Sequence, residues 1–336
     1  MANEYDLITM GRATIDLYAQ DIGVPFEKIK SFAAYVGGSP TNIAVGARRL
    51  GLDVALISGV GEDPVGDFVL AFLSEEQIDT EFITRKPTAR TGAALLGIER
   101  PDLTPLVYYR DNAADIQLTI DDVKAAPLAE CKAFEFAGTN LSQEPSRSAT
   151  LFAVELAKSA GASVIMDLDL RADQWGDVRA FGLMVRSVLP LVDIAIGTEE
   201  EIKAVVMESA EQLSITHSQV TDPEISGDLD TALLALLERG LDALVVKHGS
   251  KGSSVYLQDD EVIHAPGFSV EVYNVLGAGD AFASGLIYGR LKGWDWYRAA
   301  RMGNACGAII VTRHGCANFM PYENEALEFI NERGGF

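Results

Sequence analysis

The stretch that most constrains the fold is residues 271–282, where an apolar segment ends in Gly277-Ala278-Gly279-Asp280 and small residues continue to Leu291. This pattern predicts a strand, a tight glycine turn and a helix that stops near Gly293. Glycines let the backbone turn sharply and expose its N–H groups, and the first turn of a helix carries unpaired N–H groups at the positive end of its dipole. The turn is therefore a candidate phosphate site.

Asp280 places a carboxylate at this anion site. Because a carboxylate repels a phosphate, its presence there suggests that it has a chemical role. A fitting task is to accept the proton of a hydroxyl group that attacks the phosphate. The alternative is that Asp280 only caps a buried helix. We give the two interpretations similar weight for an isolated Gly-x-Gly-Asp, because short glycine motifs often arise by chance.

Composition limits the class of protein. The 336 residues are 48% hydrophobic, which suits a large α/β domain with a substantial core. A net charge of −22 argues against nucleic acid or an anionic membrane as the partner. We expect no membrane span and no signal peptide. The three cysteines cannot all pair and have no Cys-x-x-Cys spacing, so we expect a reducing cytoplasm. Neither the cysteines nor the four histidines show the spacing of metal ligands.

Apolar strand candidates alternate with amphipathic helices along most of the chain. This rhythm predicts a doubly wound, mostly parallel sheet, in which ligands bind beyond the carboxyl ends of the strands. The predicted strands are 7–11, 54–61, 134–137, 163–167, 194–196 and 244–246, and the clearest helices are 150–160 and 231–238.

Two segments, near 12–37 and 91–112, interrupt this rhythm with hairpin signals. We predict that they form a small separate β-sheet, a lid over the site, and that the remainder forms the core of a single domain. Residues 207–228 are interpreted as a surface insertion. Arg110 ends the second lid segment, where it would fork onto a carboxylate or simply lie in solvent.

Polar and glycine residues at predicted strand ends supply further candidates. Asp16 either holds substrate hydroxyls or belongs to a turn. Residues 37–42 combine two glycines with Asn42, and suit a small polar ligand or a turn before a helix capped by Ser39. Residues 247–252 suit a nucleotide phosphate or ribose. The small-residue helix around Asn304 leaves room for a flat ring or for close helix packing.

Two of these stretches carry a family resemblance. Gly37-Gly38-Ser39-Pro40-Thr41-Asn42-Ile43-Ala44 resembles the N-terminal signature of the ribokinase, or PfkB, sugar-kinase family, and Asn274-Val275-Leu276-Gly277-Ala278-Gly279-Asp280-Ala281-Phe282 resembles its C-terminal signature. They occur in the right order, and the resemblance covers essentially the whole chain. It implies a Rossmann-like α/β core with a small β-sheet lid, ATP with Mg²⁺, and phosphorylation of a sugar hydroxyl.

The resemblance also assigns roles to residues. Asp280 is implied to be the general base, and the N–H groups of Gly277, Ala278 and Gly279 the anion hole. The implied sugar contacts are Asp16, Gly37, Gly38 and Asn42, and the implied nucleotide contacts are Lys247, Gly249, Ser250, Gly252, Gly277, Gly279 and Asn304.

Two positions depart from the family pattern. Glu200 matches the glutamate of an Asn-x-x-Glu motif that supports Mg²⁺ through water, but Gly197 stands at the asparagine position. An aspartate often lies six residues before the base, and here that residue is Asn274. A K⁺ ion beside the anion hole therefore stays open, as does a homodimer formed through the lid.

Further stretches, including residues 11–18, 109–115 and 313–316, resemble the group of 5-dehydro-2-deoxygluconokinases of inositol catabolism. The expected substrate is then a sugar acid phosphorylated at its C6 hydroxyl, with Arg110 and Arg171 holding the acid group. Rival functions are a 2-keto-3-deoxygluconate kinase, a fructokinase and a non-catalytic nucleotide-binding regulator. Asp280 argues against the regulator, which needs no base. An NAD-dependent dehydrogenase would need a Gly-x-Gly-x-x-Gly motif after the first strand, and residues 11–14 do not contain one.

Overall fold

The computed structural model describes residues 5–101, 103–215 and 223–336. Asp102, in the predicted hairpin connection, and part of the 207–228 insertion lie outside these residues. Beside the second gap, Leu213–Ser214 and Glu224–Ile225 pair as two short antiparallel strands. Among the described helices, none is both long enough and apolar enough to cross a membrane.

The described strands and helices follow one another along the whole chain. The strands are β1 Tyr5–Met10, β2 Thr14–Ala19, β3 Phe32–Gly37, β4 Val54–Gly61, β5 Ile83–Lys86, β6 Gly92–Leu96, β7 Leu106–Tyr109, β8 Cys131–Ala137, β9 Ser163–Asp167, β10 Ile194–Thr198, β11 Leu213–Ser214, β12 Glu224–Ile225, β13 Ala243–Lys247, β14 Gly252–Leu257 and β15 Val262–Pro266. The α-helices are α1 Ser39–Arg49, α2 Pro64–Glu75, α3 Ile120–Lys124, α4 Ser146–Ala160, α5 Arg179–Val188, α6 Glu199–Val205, α7 Leu229–Leu237, α8 Ala278–Leu291, α9 Trp296–Ile310 and α10 Glu323–Glu332.

Nine strands form the central sheet, in the spatial order β15-β14-β13-β10-β9-β8-β1-β4-β5. The strands from β13 to β5 run parallel, and β14 and β15 are antiparallel additions. The chain progresses outward from β1 on one side and from β8 on the other, so the strand order reverses between these two. The predicted doubly wound, mostly parallel sheet is confirmed, and the crevice beyond this reversal is the usual ligand position in such a sheet.

Helices cover both faces of this sheet, which explains why its strands are nearly continuous apolar runs. Every residue of β4 is buried, for example. Helices α1, α2, α8, α9 and α10 pack on one face, and α3 to α7 pack on the other. Local signals set helix ends: the Asp63 side chain accepts the Gly66 N–H at the start of α2, and Gly161, at φ +87°, ends α4.

A second, four-stranded sheet has the order β3-β2-β6-β7 and is called the small sheet below. Strand β2 is antiparallel to β3 and parallel to β6, and β6 is antiparallel to β7. Its strands come from the two segments near 12–37 and 91–112 that interrupt the core rhythm. That this sheet acts as a lid stays a prediction.

Two local predictions differ from the structure. Residues 271–276 form no strand. The N–H groups of Tyr273 and Asn274 both bond to the carbonyl of Val311 after α9, at 2.7 and 3.2 Å, and so do not join a sheet. Helix α1 is capped by Gly38 rather than Ser39, because Gly38 adopts φ +103° and Ser39 already belongs to the first helical turn.

Candidate active site

A cleft of about 720 Å³ opens between the carboxyl edge of the central sheet and the small sheet. It brings together most of the site residues predicted from sequence, although these lie far apart in the chain. The predicted residues that line it are Asp16, Gly38, Asn42, Arg171, Glu200, Lys247, Gly249, Ser250, Gly252, Gly277, Ala278, Gly279, Asp280 and Asn304.

The glycine turn at the start of α8 makes one wall of the cleft. Gly277 is the N-cap at φ +75°, and a Cβ there would lie 2.6 Å from the Cys316 sulfur. A Cβ on Gly279 would lie 3.1 Å from the Lys247 ammonium nitrogen. The two glycines therefore bring the first N–H groups of the helix and a lysine charge to one point, where the Ala278 N–H makes only a long bond of 3.4 Å to the Val275 carbonyl. This is a local site for an anion in a chain of net charge −22.

Asp280 lies in the first turn of α8 beside this anion site. The Asn42 side-chain nitrogen donates a hydrogen bond to one Asp280 oxygen at 2.6 Å. Burial raises the pKa of Asp280, and the nearby charge of Asp169 raises it further, although the Asn42 hydrogen bond opposes them. A carboxylate with a raised pKa takes a proton from a hydroxyl more readily than an ordinary one.

Asp16 lies across the cleft, on strand β2 of the small sheet. It accepts a hydrogen bond from the Thr14 hydroxyl at 2.8 Å, and burial raises its pKa to about 6. A Cβ on Gly37 would lie 1.9 Å from an Asp16 oxygen, and one on Gly38 would lie 2.4 Å from the Arg12 carbonyl oxygen. Gly37 does not line the cleft itself. It makes room for the Asp16 carboxylate, while Gly38 makes room for the Arg12 backbone.

Two arginines, Arg12 and Arg171, line the cleft and share one carboxylate. Arg12 Nη1 and Arg171 Nη2 each lie 2.8 Å from a different oxygen of Asp169. Burial alone would raise the pKa of Asp169, but the two guanidinium groups hold it below its ordinary value. The sequence prediction included Arg171 but omitted Arg12. The available signal was that Arg12 comes two residues after the end of β1, at the sheet edge where ligands bind.

Arg110 differs from its predicted place. Its side chain is 6% exposed and does not line the cleft. Its Nε and Nη2 atoms both donate to Asp115, and its Nη1 donates to Gln174 at 2.7 Å. All three guanidinium nitrogens are therefore engaged by protein groups, and Arg110 is not positioned to fork onto a substrate carboxylate.

The other end of the cleft carries the residues implied for the nucleotide. Lys247 ends strand β13 and lies 3.2 Å from Asp167 and 3.9 Å from Glu201. Burial raises the pKa of Asp167 to about 7, against the opposing Lys247 charge. The Asn304 side chain donates to the carbonyls of Ala265 and Pro266, at 3.0 and 3.2 Å, and so fixes helix α9 to strand β15.

Glu200 lies in the first turn of α6 and lines the same end. It accepts hydrogen bonds from the Lys203 ammonium and from the Ile225 N–H, each at 2.5 Å. A Cβ on Gly197 would lie 2.6 Å from a Leu168 methyl carbon, so the asparagine of the family motif would not fit there without movement of Leu168. The motif is incomplete here, and Leu168 fills the space beside Gly197.

The donor set fits Mg²⁺ that arrives with phosphate, not a metal held by protein alone. Among the described residues, no group of three or more side chains is arranged to hold a metal ion. Mg²⁺ on a nucleotide needs only one or two carboxylates, since phosphate oxygens and water supply the other ligands. Glu200 and Asp167 are carboxylates of this kind at the edge of the cleft.

Asn274, at the position associated with K⁺, is buried and hydrogen-bonded through both its amide nitrogen and its amide oxygen. Its nitrogen donates to the Arg313 carbonyl at 2.6 Å, and its oxygen accepts the Leu276 N–H at 2.9 Å. The side chain brings no negative charge to this place. It therefore adds no support for a K⁺ ion.

Comparison with known proteins decides the family. The sequence profile of the pfkB family carbohydrate kinases matches residues 5–323, which is nearly the whole chain. The chain belongs to the PfkB family. The predictions of a ribokinase-like fold and of a carbohydrate kinase are thereby confirmed.

Individual PfkB relatives agree with this assignment. The chain is 34% identical over 331 residues to a 5-dehydro-2-deoxygluconokinase of Shouchella clausii, covering 98% of this chain and 97% of that one. It is 36% identical over 329 residues to the enzyme of the same name from Clostridium tetani, covering 98% and 93%. An E. coli protein called ribokinase II, solved in complex with ATP and Mg²⁺, superposes with a TM-score of 0.84 at 26% identity, covering 99% and 100%.

Proposed function

We propose that this kinase transfers the γ-phosphoryl group of ATP to the C6 hydroxyl of a six-carbon keto sugar acid. The acceptor we propose is 5-dehydro-2-deoxy-D-gluconate, as a step of myo-inositol catabolism in the cytoplasm. The observation that carries the proposal is a cleft with an anion site and Asp280 on one wall and two arginines, Arg12 and Arg171, sharing one carboxylate. The names of the relatives supply the particular acid.

In the proposed reaction Asp280 accepts the proton of the attacking hydroxyl. The N–H groups of Gly277, Ala278 and Gly279, with the Lys247 ammonium, stabilise negative charge on the transferred phosphoryl oxygens. Preorganised donors of this kind are worth about 3 kcal/mol each in the transition state. Mg²⁺, held by phosphate oxygens and through water by Glu200, would neutralise further phosphate charge.

The part of the cleft that binds the acceptor must recognise its hydroxyl groups and must exclude water. Asp16 and Asn42 would bind acceptor hydroxyls, because both line the cleft, Asn42 next to Asp280 and Asp16 across from it. The small sheet would close over the acceptor and exclude water, which otherwise competes for the phosphoryl group. Its strands β2, β6 and β7 all contribute residues to the cleft wall, among them Asp16, Leu96 and Tyr108.

The test is a phosphorylation screen with ATP and Mg²⁺. Equal concentrations of 5-dehydro-2-deoxygluconate, 2-keto-3-deoxygluconate and fructose are compared with a control that lacks an acceptor. We expect kcat/KM to be highest for 5-dehydro-2-deoxygluconate. A preference for 2-keto-3-deoxygluconate would retain the acid class but change the acceptor. A preference for fructose would refute the sugar-acid proposal.

We also propose that two copies of the chain associate through the outer face of the small sheet. On the face opposite the cleft, Leu17 is paired with Ala34 and Leu95 with Val107, and Tyr109 lies on the same face. Val107 is 44% exposed and Tyr109 61% exposed. Sedimentation velocity should give a dimer for the wild type and a monomer for Val107→Glu. A wild-type monomer would refute the association.

A further inference from the structure

We propose that Arg12 binds the carboxylate of the acceptor through the edge formed by its Nε and Nη2 atoms. This inference rests on the proposed sugar-acid function. It goes beyond it by naming the residue and the atoms that make the cleft prefer an acid.

The Arg12 side chain lies at the point where the strand order of the central sheet reverses. It follows β1, and its Nη1 donates to the Thr139 hydroxyl, which follows β8, and to Asp169, which follows β9. Strands β1 and β8 are the neighbours between which the central sheet changes direction. The guanidinium therefore lies in the crevice where open α/β sheets bind their ligands.

The donors of Arg12 are used on one side only. A guanidinium group has five N–H donors, and both side-chain hydrogen bonds of Arg12 to described residues start from Nη1. The Nε atom is buried without a hydrogen-bond partner, and Nη2 bonds to no residue among those the structure describes. These two nitrogens form one edge, whose parallel N–H bonds match the two oxygens of a carboxylate. A buried donor left unpaired is costly, which argues for an occupant.

The local charge is also suited to an anion. Asp169 is shared by Arg12 and Arg171, so one carboxylate faces two guanidinium groups. Asp16 lines the cleft nearby and accepts its hydrogen bond from Thr14 rather than from an arginine, although the Arg12 charge opposes the rise in the pKa of Asp16 that burial causes. The Arg12 side chain is only 2% exposed, and a charge held away from water interacts more strongly with an incoming carboxylate.

The experiment compares the sugar acid with its C1 amide, which keeps the carbon skeleton and the C6 hydroxyl but carries no charge. kcat/KM for both is measured at saturating ATP for wild type, Arg12→Lys and Arg12→Gln. Lysine keeps the charge and a donor for Asp169 but lacks the forked edge. We expect both variants to lower kcat/KM for the acid by roughly ten- to a hundredfold. We expect the amide to be nearly unaffected, so that the wild-type preference for the acid collapses.

A matched control is Arg49→Lys, which loses a fork onto Glu76 outside the cleft and should leave the acid-to-amide ratio unchanged. If the Arg12 variants slow the acid and the amide equally, Arg12 only supports the fold of the site and the inference fails. If wild-type enzyme uses no sugar acid, the proposed function fails as well, which is a different outcome.

A second measurement covers the case in which the Arg12 variants do not fold. In ¹⁵N-labelled wild-type protein, the arginine Nε–H resonances are followed during addition of the acid or of the amide. One buried Nε–H signal should shift with the acid and not with the amide. The absence of any such acid-specific shift overturns the assignment.

Discussion

Replacing Asp280 by asparagine removes the proposed general base with almost no change in shape. The Asn42 nitrogen now donates to an Asp280 oxygen at 2.6 Å, and the amide oxygen of the variant can accept the same bond. The fold and ATP binding should therefore stay near those of the wild type. What the variant lacks is a group able to take the proton of the acceptor hydroxyl.

The expected loss follows from this change. General-base catalysis is commonly worth about 10²–10⁴ in rate, so kcat should fall by that factor, or by about 3–5 kcal/mol of transition-state stabilisation. The base works only when ionised, and burial raises the pKa of Asp280. The wild-type kcat should therefore rise with pH through that raised pKa and then level off, whereas the residual rate of the variant should lack this limb.

The assay is steady-state phosphorylation at saturating ATP and acceptor across a pH series. Asp16→Asn is the companion variant, because it makes the same carboxylate-to-amide change at a cleft residue that we assign to acceptor binding. It should raise KM for the acceptor more than it lowers kcat. Near-normal kcat in Asp280→Asn would refute the assignment of the base.

Three further changes test other parts of the account. Glu200→Gln should raise the Mg²⁺ concentration needed for half-maximal rate, and an unchanged metal dependence would leave Glu200 a purely structural first-turn residue. Gly277→Ala should lower the free energy of unfolding by about 1–2 kcal/mol, because alanine disfavours the left-handed backbone, and should lower kcat by shifting the anion hole. Adding Cys316→Ala removes the close sulfur and should recover part of the rate. Equal activity of Gly277→Ala and wild type would contradict this expectation. Glu135 is buried with both oxygens unpaired, and burial raises its pKa well above the ordinary value, so the folded state holds its proton more tightly and stability falls as pH rises above about 4.3. Glu135→Gln has no carboxyl group to titrate at this position, so its stability should not fall in this way. The Tm of the variant minus that of the wild type should therefore increase from pH 4 to pH 8, and a Tm difference that is the same at all pH values would contradict this expectation.

Much of the fold could be predicted because its signals are local. Continuous apolar runs predicted the parallel strands, and glycine turns predicted where helices such as α8 begin. Residues 271–276 show the limit of this reasoning. Their pattern suits a strand, but a strand exists only where another strand offers free hydrogen-bonding groups, and here Val311 at a helix end takes the N–H groups of Tyr273 and Asn274.

The cationic part of the site was harder to predict from sequence. Arg110 directly follows β7, a strand beside the cleft, but Asp115 and Gln174 occupy its guanidinium group. Arg12 is significant only because β1 lies between β4 and β8, which places Thr139 and Asp169 within its reach. The pairings of Arg12 join residues more than a hundred positions apart, and no local pattern encodes them.

The most direct test of the account is a crystal structure with 5-dehydro-2-deoxygluconate and a non-hydrolysable ATP analogue. We expect the C6 hydroxyl within hydrogen-bond distance of Asp280, facing the γ-phosphate at the Gly277–Gly279 turn, and the carboxylate on the free edge of Arg12. A sugar acid bound in the opposite direction, with its carboxylate at the glycine turn and its C6 hydroxyl beside Arg12, would contradict it.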